Sequence, residues 1–310
     1  MNRRTAIQGF LVAGAGCLFR RVFAQSETSQ QQEEEPFVLR SEVRLVLLDV
    51  SVTTRRGGFV SGLAKDNFTV LENGRRQNIT VFDNEDRPVT VGILVDESRS
   101  MAPKRADTLA AAEIFIAQSN SQDETFVLNF NERVTPGLPP GTLFSDDPVQ
   151  LRSALRRGVP EGKTALNDAV VAGLKQLELG KRGKKTLIVI SDGGDNASVH
   201  TPRQVIDMAE RTIATIYAIG LFDADDPDRD PGLLRRFANI SGGEAYFPQS
   251  PAEMTPICKA IAKDIRSRYT IGYVPAAGVT SVRQIRVLAS APGQGNLITR
   301  TRSSYQYDQA

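Results

Sequence analysis

Val91-Gly92-Ile93-Leu94-Val95-Asp96-Glu97-Ser98-Arg99-Ser100-Met101 is the stretch that decides how this chain is read. Five apolar or small residues in a row read as a strand buried on both faces, and the polar run after them places a carboxylate and two hydroxyls at its carboxyl end. Leu187-Ile188-Val189-Ile190-Ser191-Asp192-Gly193-Gly194-Asp195 repeats the pattern, and Gly162-Lys163-Thr164-Ala165-Leu166-Asn167-Asp168 sets a hydroxyl at the start of a helical stretch. In an open α/β sheet the loops beyond the carboxyl ends of the strands converge, so Asp96, Ser98, Ser100, Thr164 and Asp192 are expected at one place.

The same grammar continues on both sides. Short apolar runs predict strands at 91–95, 125–130, 186–190, 215–219 and 244–247. Amphipathic stretches predict helices near 103–119, 148–157, 164–179, 202–212, 232–240 and 251–267. The alternation implies an α/β class with a doubly wound, mostly parallel sheet covered on both faces. The flanks follow a period of two instead: Val46, Leu48, Val50 and Val52 alternate, as do Tyr269, Ile271 and Tyr273, then Ile285 and Val287, with a last strand over 297–305. Runs at 68–71 and 79–82 flank Glu72-Asn73-Gly74, whose Asn-Gly pair supplies the positive φ angles of a tight hairpin. Each flank is too short for a core of its own, so the two are expected to form one small β module. The organisation is then 1–24 as an export signal, 25–36 as a disordered linker, 37–88 as an N-terminal β segment, 89–267 as an inserted α/β domain and 268–310 as a C-terminal β segment packing with the first.

Five oxygen donors with only two carboxylates among them suit Mg²⁺, with Mn²⁺ or Ca²⁺ as the alternatives, better than zinc or copper. Such a set leaves the cation short of negative charge and with an exchangeable position. A carboxylate from a protein partner would fill it.

Asp96-x-Ser98-x-Ser100, followed by a distant Thr164 and a distant Asp192, resembles the metal-ion-dependent adhesion site of von Willebrand factor type A domains. The resemblance covers roughly residues 89–265, and Ser191-Asp192-Gly193-Gly194-Asp195 also fits the family. It implies a Rossmann-like α/β domain that binds proteins through a divalent cation. The flanking phrase Asp66-Asn67-Phe68-Thr69-Val70-Leu71-Glu72-Asn73-Gly74 resembles a secreted bacterial subgroup. Asp195, Asp168 and Glu97 are expected behind the ligands, with Glu97 an extra carboxylate that tunes affinity. A Mg²⁺-dependent hydrolase is the alternative, and Glu97, Asp168 and Asp195 are its available bases. A structural envelope component with an incidental metal is the third reading.

Composition narrows the field further. A single histidine, His200, argues against a histidine zinc site and a Ser-His-Asp triad, and it reads as a loop residue. The first residues carry Arg3-Arg4, an apolar stretch to Phe19 and Val22-Phe23-Ala24, which predicts export to the periplasm or beyond, by the twin-arginine route ahead of the general one. Cys17 fits a lipid-attachment site poorly, and the apolar stretch is too short for a persuasive membrane span. After cleavage only Cys258 would remain, leaving no intramolecular disulfide. Losing Arg3, Arg4, Arg20 and Arg21 takes the formal charge from +2 to about −2, which is no nucleic-acid footprint. The acidic run from Asp223 to Asp230 lacks the glycine and glutamate spacing of an EF-hand and reads as a solvated loop before a helix.

Overall fold

The computed structural model describes residues 45–222, 229–276 and 281–307. The expected export signal and linker, and most of the Asp223–Asp230 run, lie outside the described residues. Strand β1 (Val46–Thr54) buries Leu48, Val50 and Val52 on one face, as their alternation requires. Strand β2 (Phe68–Glu72) turns through Asn73 (φ 47°) and Gly74 (φ 79°) into β3 (Arg75–Gln77), with Glu72 opposite Arg75. A two-residue turn leaves no slack, so the nearest residues pair. The hairpin therefore joins 68–72 to 75–77 and not to 79–82 as the apolar spacing suggests. Strand β4 (Ile79–Asp83) follows after a single residue and enters a different sheet.

The inserted domain begins at β5 (Val89–Asp96), whose eight residues are all buried. A 3₁₀ segment (Arg99–Lys104) leads into α1 (Arg105–Gln118). Then come β6 (Glu124–Phe130), β7 (Val134–Pro136), α2 (Pro148–Leu155), α3 (Leu166–Glu178) and β8 (Lys184–Ser191). They are followed by α4 (Pro202–Arg211), β9 (Thr215–Gly220), α5 (Pro231–Ser241), β10 (Ala245–Tyr246) and α6 (Pro251–Ser267). Three helices share one start signal. Asp147, Thr201 and Asp230 each precede a proline, and each side chain accepts a hydrogen bond from a first-turn amide.

The sheet order is β10-β9-β8-β5-β6-β7, parallel except for β7 at one edge. Strand β7 escapes sequence reading because three residues ending in proline carry no periodic signal. Helix α1 packs on α6 and α2, while α3 packs on α4 and α4 on α5. Two helical layers thus close over β5, β8 and β9. Burying one large aliphatic side chain such as Ile93, Leu94 or Ile188 contributes about 1.5–3 kcal/mol.

The remaining strands are β11 (Tyr269–Tyr273), β12 (Val282–Ala289), β13 (Leu297–Arg300) and β14 (Ser304–Gln306). They make two antiparallel sheets with the N-terminal strands, β13-β1-β11-β4 and β14-β12-β2-β3. The stretch expected as one strand over 297–305 is thus two strands in two sheets. Residues 75–83 behave the same way, so each of these ribbons is shared and the two sheets join at both corners. Phe68, Tyr269, Tyr273 and Val70 lie in the core between them. There the buried Glu72 carboxylate accepts hydrogen bonds from Tyr273 Oη (2.6 Å), Tyr305 Oη (2.8 Å) and Arg283 Nη1 (2.7 Å). A buried charge is tolerable only when satisfied in this way.

The β module sits at the end of the parallel sheet opposite Asp96 and Asp192. Arg268, buried between α6 and β11, donates to Gly242 O (2.6 Å), to Tyr217 Oη (3.1 Å), to Thr215 Oγ1 at the start of β9 (3.3 Å) and to Asp49 O on β1 (3.3 Å). Arg300 of β13 pairs with Asp264 and Glu244, and Arg302 donates to the carbonyls of Ala209 and Thr212 at the end of α4. Burial alone would raise the Asp264 carboxyl, but Arg268 and Arg300 hold it below the usual range.

Candidate metal centre

Residue 96 ends β5 and residue 191 ends β8, and the register Val95↔Ile190 brings the next pair side by side. Ser191 Oγ donates to Asp96 Oδ2 at 2.6 Å, and the Ser98 amide donates to Asp96 Oδ1 at 2.8 Å. The chain of contacts continues outward. Ser98 Oγ lies 3.1 Å from Ser100 Oγ, and Ser100 Oγ donates to Asp192 Oδ2 at 2.5 Å. Asp192 Oδ1 accepts from the Gly194 amide at 3.1 Å. Asp96, Ser98, Thr164 and Asp192 are buried, and Ser100 is exposed. The centre therefore opens on the side of Ser100.

Thr164 lies two residues before α3, ahead of the helix rather than in it. It joins the centre through its main chain. Its amide donates to Asn196 Oδ1 (2.9 Å), and its carbonyl accepts from the amides of Asn196 and Ala197 (both 3.0 Å), four and five residues after Asp192. On the other side the Arg99 amide donates to Gly162 O at 3.3 Å. Three loops that are remote in sequence thus meet at one sheet edge. Gly193, with φ +83°, lies where a Cβ would come within 2.6 Å of Asp230 O, so only glycine lets Asp192 sit beside the start of α5.

The electrostatics are those of a site in need of positive charge. Asp96 and Asp192 form no ion pair among the described residues. Burial, then the neighbouring Asp192 charge, push the Asp96 carboxyl up to about 7, against the hydrogen bonds from Ser191 and Ser98. Two carboxylates and three hydroxyls, without a nitrogen or sulfur donor, could hold a small hard divalent cation. Among the described residues no group of three or more His, Cys, Asp or Glu side chains could hold a metal, so hydroxyls are essential to any such site.

The three carboxylates expected behind the ligands are all engaged. Asp195 accepts from the amides of Asn167 (2.7 Å) and Ser198 (3.2 Å). Asp168 accepts from the amides of Val199 (3.0 Å) and His200 (2.9 Å), and His200 Nδ1 lies 2.6 Å from its Oδ1. Burial would raise Asp168, yet those amides and the imidazole hold it below the ordinary range. Glu97 is buried and raised by burial, opposed by Arg105, whose Nε lies 3.0 Å from its Oε2. Sequence reading left out Ser191, Asn196 and Arg105. Ser191 carried a signal, a lone polar residue closing a buried strand; Asn196 and Arg105 carried none.

The fold is an α/β domain with a cluster of oxygen donors at the carboxyl edge of its parallel sheet. The family model for the von Willebrand factor type A domain matches residues 90–257, more than half of the chain, and the chain belongs to that family. Members are commonly metal-dependent protein-interaction modules. Solved structures of similar fold include a von Willebrand factor type A protein from Catenulispora acidiphila, with 14% identity, 87% of this chain and 76% of that one covered, and a TM-score of 0.51. Another is proximal thread matrix protein 1 from the mussel byssus with a zinc-occupied MIDAS motif, with 13% identity, 64% and 50% coverage, and a TM-score of 0.50. Likeness at such identities concerns the fold. A comparison with curated proteins gives no match. Among the described residues no helix is long and apolar enough to cross a membrane.

Proposed function

We propose that this chain is an exported, divalent-cation-dependent protein-binding module, with Mg²⁺ held by Asp96, Ser98, Ser100, Thr164 and Asp192. The observation that carries the reading is the pair of buried carboxylates, Asp96 and Asp192, joined through Ser98 and Ser100 with no cationic side chain paired to either among the described residues. A bound cation would supply the missing positive charge and a coordination position for an acidic side chain of a partner. Asp96 and Asp192 would neutralise it in part, and Ser100, being exposed, marks the side from which the partner arrives. The zinc-occupied motif named for the mussel protein supports a divalent ion at this position in the fold. The engagement of Glu97, Asp168 and Asp195 by other groups favours binding over hydrolysis, which needs a free, positioned base.

Calorimetric titration of Mg²⁺ into the wild type, Asp96→Ala and Asp192→Ala tests the site. Binding is expected in the wild type alone, and equal affinity in all three would end the assignment. A pull-down from an envelope fraction, run in Mg²⁺ and in EDTA, tests the use. A captured set that is the same in both would end metal-mediated adhesion. Replacing Arg3 and Arg4 together by lysine is expected to stop export; a variant exported as well as the wild type would point to the general route.

A further inference from the structure

Glu97 stands between two proposed ligands, yet its side chain is directed to Arg105 at the start of α1, with Nε–Oε2 3.0 Å and Nη2–Oε1 3.4 Å. The same guanidinium donates to Gly158 O (2.7 Å) and Arg156 O (3.4 Å), the carbonyls that follow the end of α2. The main chain of Glu97 adds two further ties: its amide donates to Phe130 O at the end of β6 (2.7 Å), and its carbonyl accepts from the Glu161 amide (2.9 Å). Gly158 leaves the room this needs, since a Cβ there would fall 2.3 Å from Glu97 Oε1. Residues 156–163 are therefore fastened to the loop that carries Asp96, Ser98 and Ser100 by one part-buried ion pair, its carbonyl contacts and the main-chain bonds Glu161–Glu97 and Arg99–Gly162. Those residues lead directly into Thr164.

We propose that Glu97 and Arg105 are positioning residues, a clasp that fixes the distance between Thr164 and Asp96 and so sets the cation affinity of the centre. This rests on the reading of these residues as ligands. Glu97 then acts through Arg105 rather than as a further ligand or a base. Its carboxylate neutralises a guanidinium that would otherwise stand uncompensated near the centre, and the fork of the arginine lets one side chain bridge a carboxylate and two carbonyls at once. Asn196 and Ala197 hold Thr164 from the opposite side. Loss of the clasp would leave the segment before Thr164 tied to the Asp96 loop only by the main-chain bonds Glu161–Glu97 and Arg99–Gly162, and groups that orient metal ligands typically change affinity by about 10–100-fold when removed.

Two measurements on the full chain decide it. Amide hydrogen exchange of the metal-free protein is expected to accelerate at 158–164 in Arg105→Ala and Glu97→Gln while β5, β8 and β9 keep wild-type protection. Calorimetry is expected to show Mg²⁺ affinity weakened about 10-fold or more, with partial recovery in Arg105→Lys. Gly158→Ala, which presses on the Glu97 carboxylate, should act in the same direction and serves if the charge variants fold poorly. Wild-type exchange at 158–164 together with wild-type affinity in these variants would overturn the clasp. A wild type that binds no Mg²⁺ would overturn the metal reading instead, and the exchange result would then decide whether the clasp holds the loop.

Discussion

Ser100 Oγ donates to Asp192 Oδ2 at 2.5 Å across 92 residues of chain, and this bond ties the loop after β5 to the loop after β8 on the exposed side of the cluster. Ser100→Ala removes the donor and leaves Asp192 open to solvent. Mg²⁺ affinity is expected to fall at least as far as in the clasp variants while the melting temperature of the metal-free protein stays near wild type. A large fall in that temperature would make Ser100 a structural residue and not a ligand.

Asp96→Asn separates stability from binding in the opposite sense. The ionised Asp96 is held at a cost by burial and by Asp192, and a shift of one pKa unit corresponds to about 1.4 kcal/mol. The amide should stabilise the metal-free chain by on the order of 1–3 kcal/mol at pH 8 and abolish Mg²⁺ binding. Chemical denaturation with and without Mg²⁺ reads both effects, and a destabilised variant would contradict the electrostatic account.

The pH dependence follows from the same carboxyl. The folded protein holds a proton on Asp96 up to about pH 7, whereas the unfolded chain releases it near the ordinary value of 3.8. Between those values the folded state binds more protons, so the contribution of Asp96 to metal-free stability falls as pH rises from about 4 to 7. A cation competes with that proton. Mg²⁺ affinity should therefore climb as pH is raised through 7 and level off above it, with proton release on binding below it. Calorimetry in buffers of different ionisation enthalpy measures that release.

Gly193→Ala tests the packing that holds Asp192. A side chain there meets Asp230 O and a backbone at φ +83°, a conformation costing roughly 1–3 kcal/mol for most residues. Reduced melting temperature and weakened Mg²⁺ binding should appear together, and unchanged binding would mean that the Asp192 loop tolerates a shift.

Arg268 tests the junction at the other end of the sheet. Arg268→Ala leaves Asp264 buried, still paired with Arg300 but without its second partner, and removal of one member of a buried ion pair costs about 3–5 kcal/mol. Equilibrium unfolding should show that loss with little change in Mg²⁺ affinity, since Arg268 lies at the far edge from Asp96.

What could be read in the sequence is whatever writes itself into local periodicity or a fixed motif. The continuous apolar run of β5, the Asp-Pro and Thr-Pro helix starts and the spacing of Asp96, Ser98 and Ser100 are of that kind. The pairing of β4 with β11 was hidden, because Ile79 to Phe82 looks the same whichever sheet it joins. The break at Thr301 to Ser303 was hidden likewise, since buried Arg302 reads as an exposed residue in a polar stretch until the end of α4 is placed beside it. His200 reads as a plain loop residue and Glu97 as an extra carboxylate behind the ligands, because their partners, Asp168 and Arg105, are set by tertiary packing and by no rule of spacing.

The two ribbons shared between the sheets of the β module bear on how the chain folds as it is made. Glu72 emerges from the ribosome 233 residues before Tyr305, one of the hydroxyls that satisfies it, and β1 must wait for both β11 and β13. The interposed α/β domain draws all six strands of its sheet from the stretch between β4 and β11 and can close first, while the early strands stay unsatisfied until their late partners arrive. High contact order of this kind slows folding and prolongs exposure of strand edges. For such a chain, synthesis broken off before β13 would yield a domain able to build the proposed cation centre on a module unable to close.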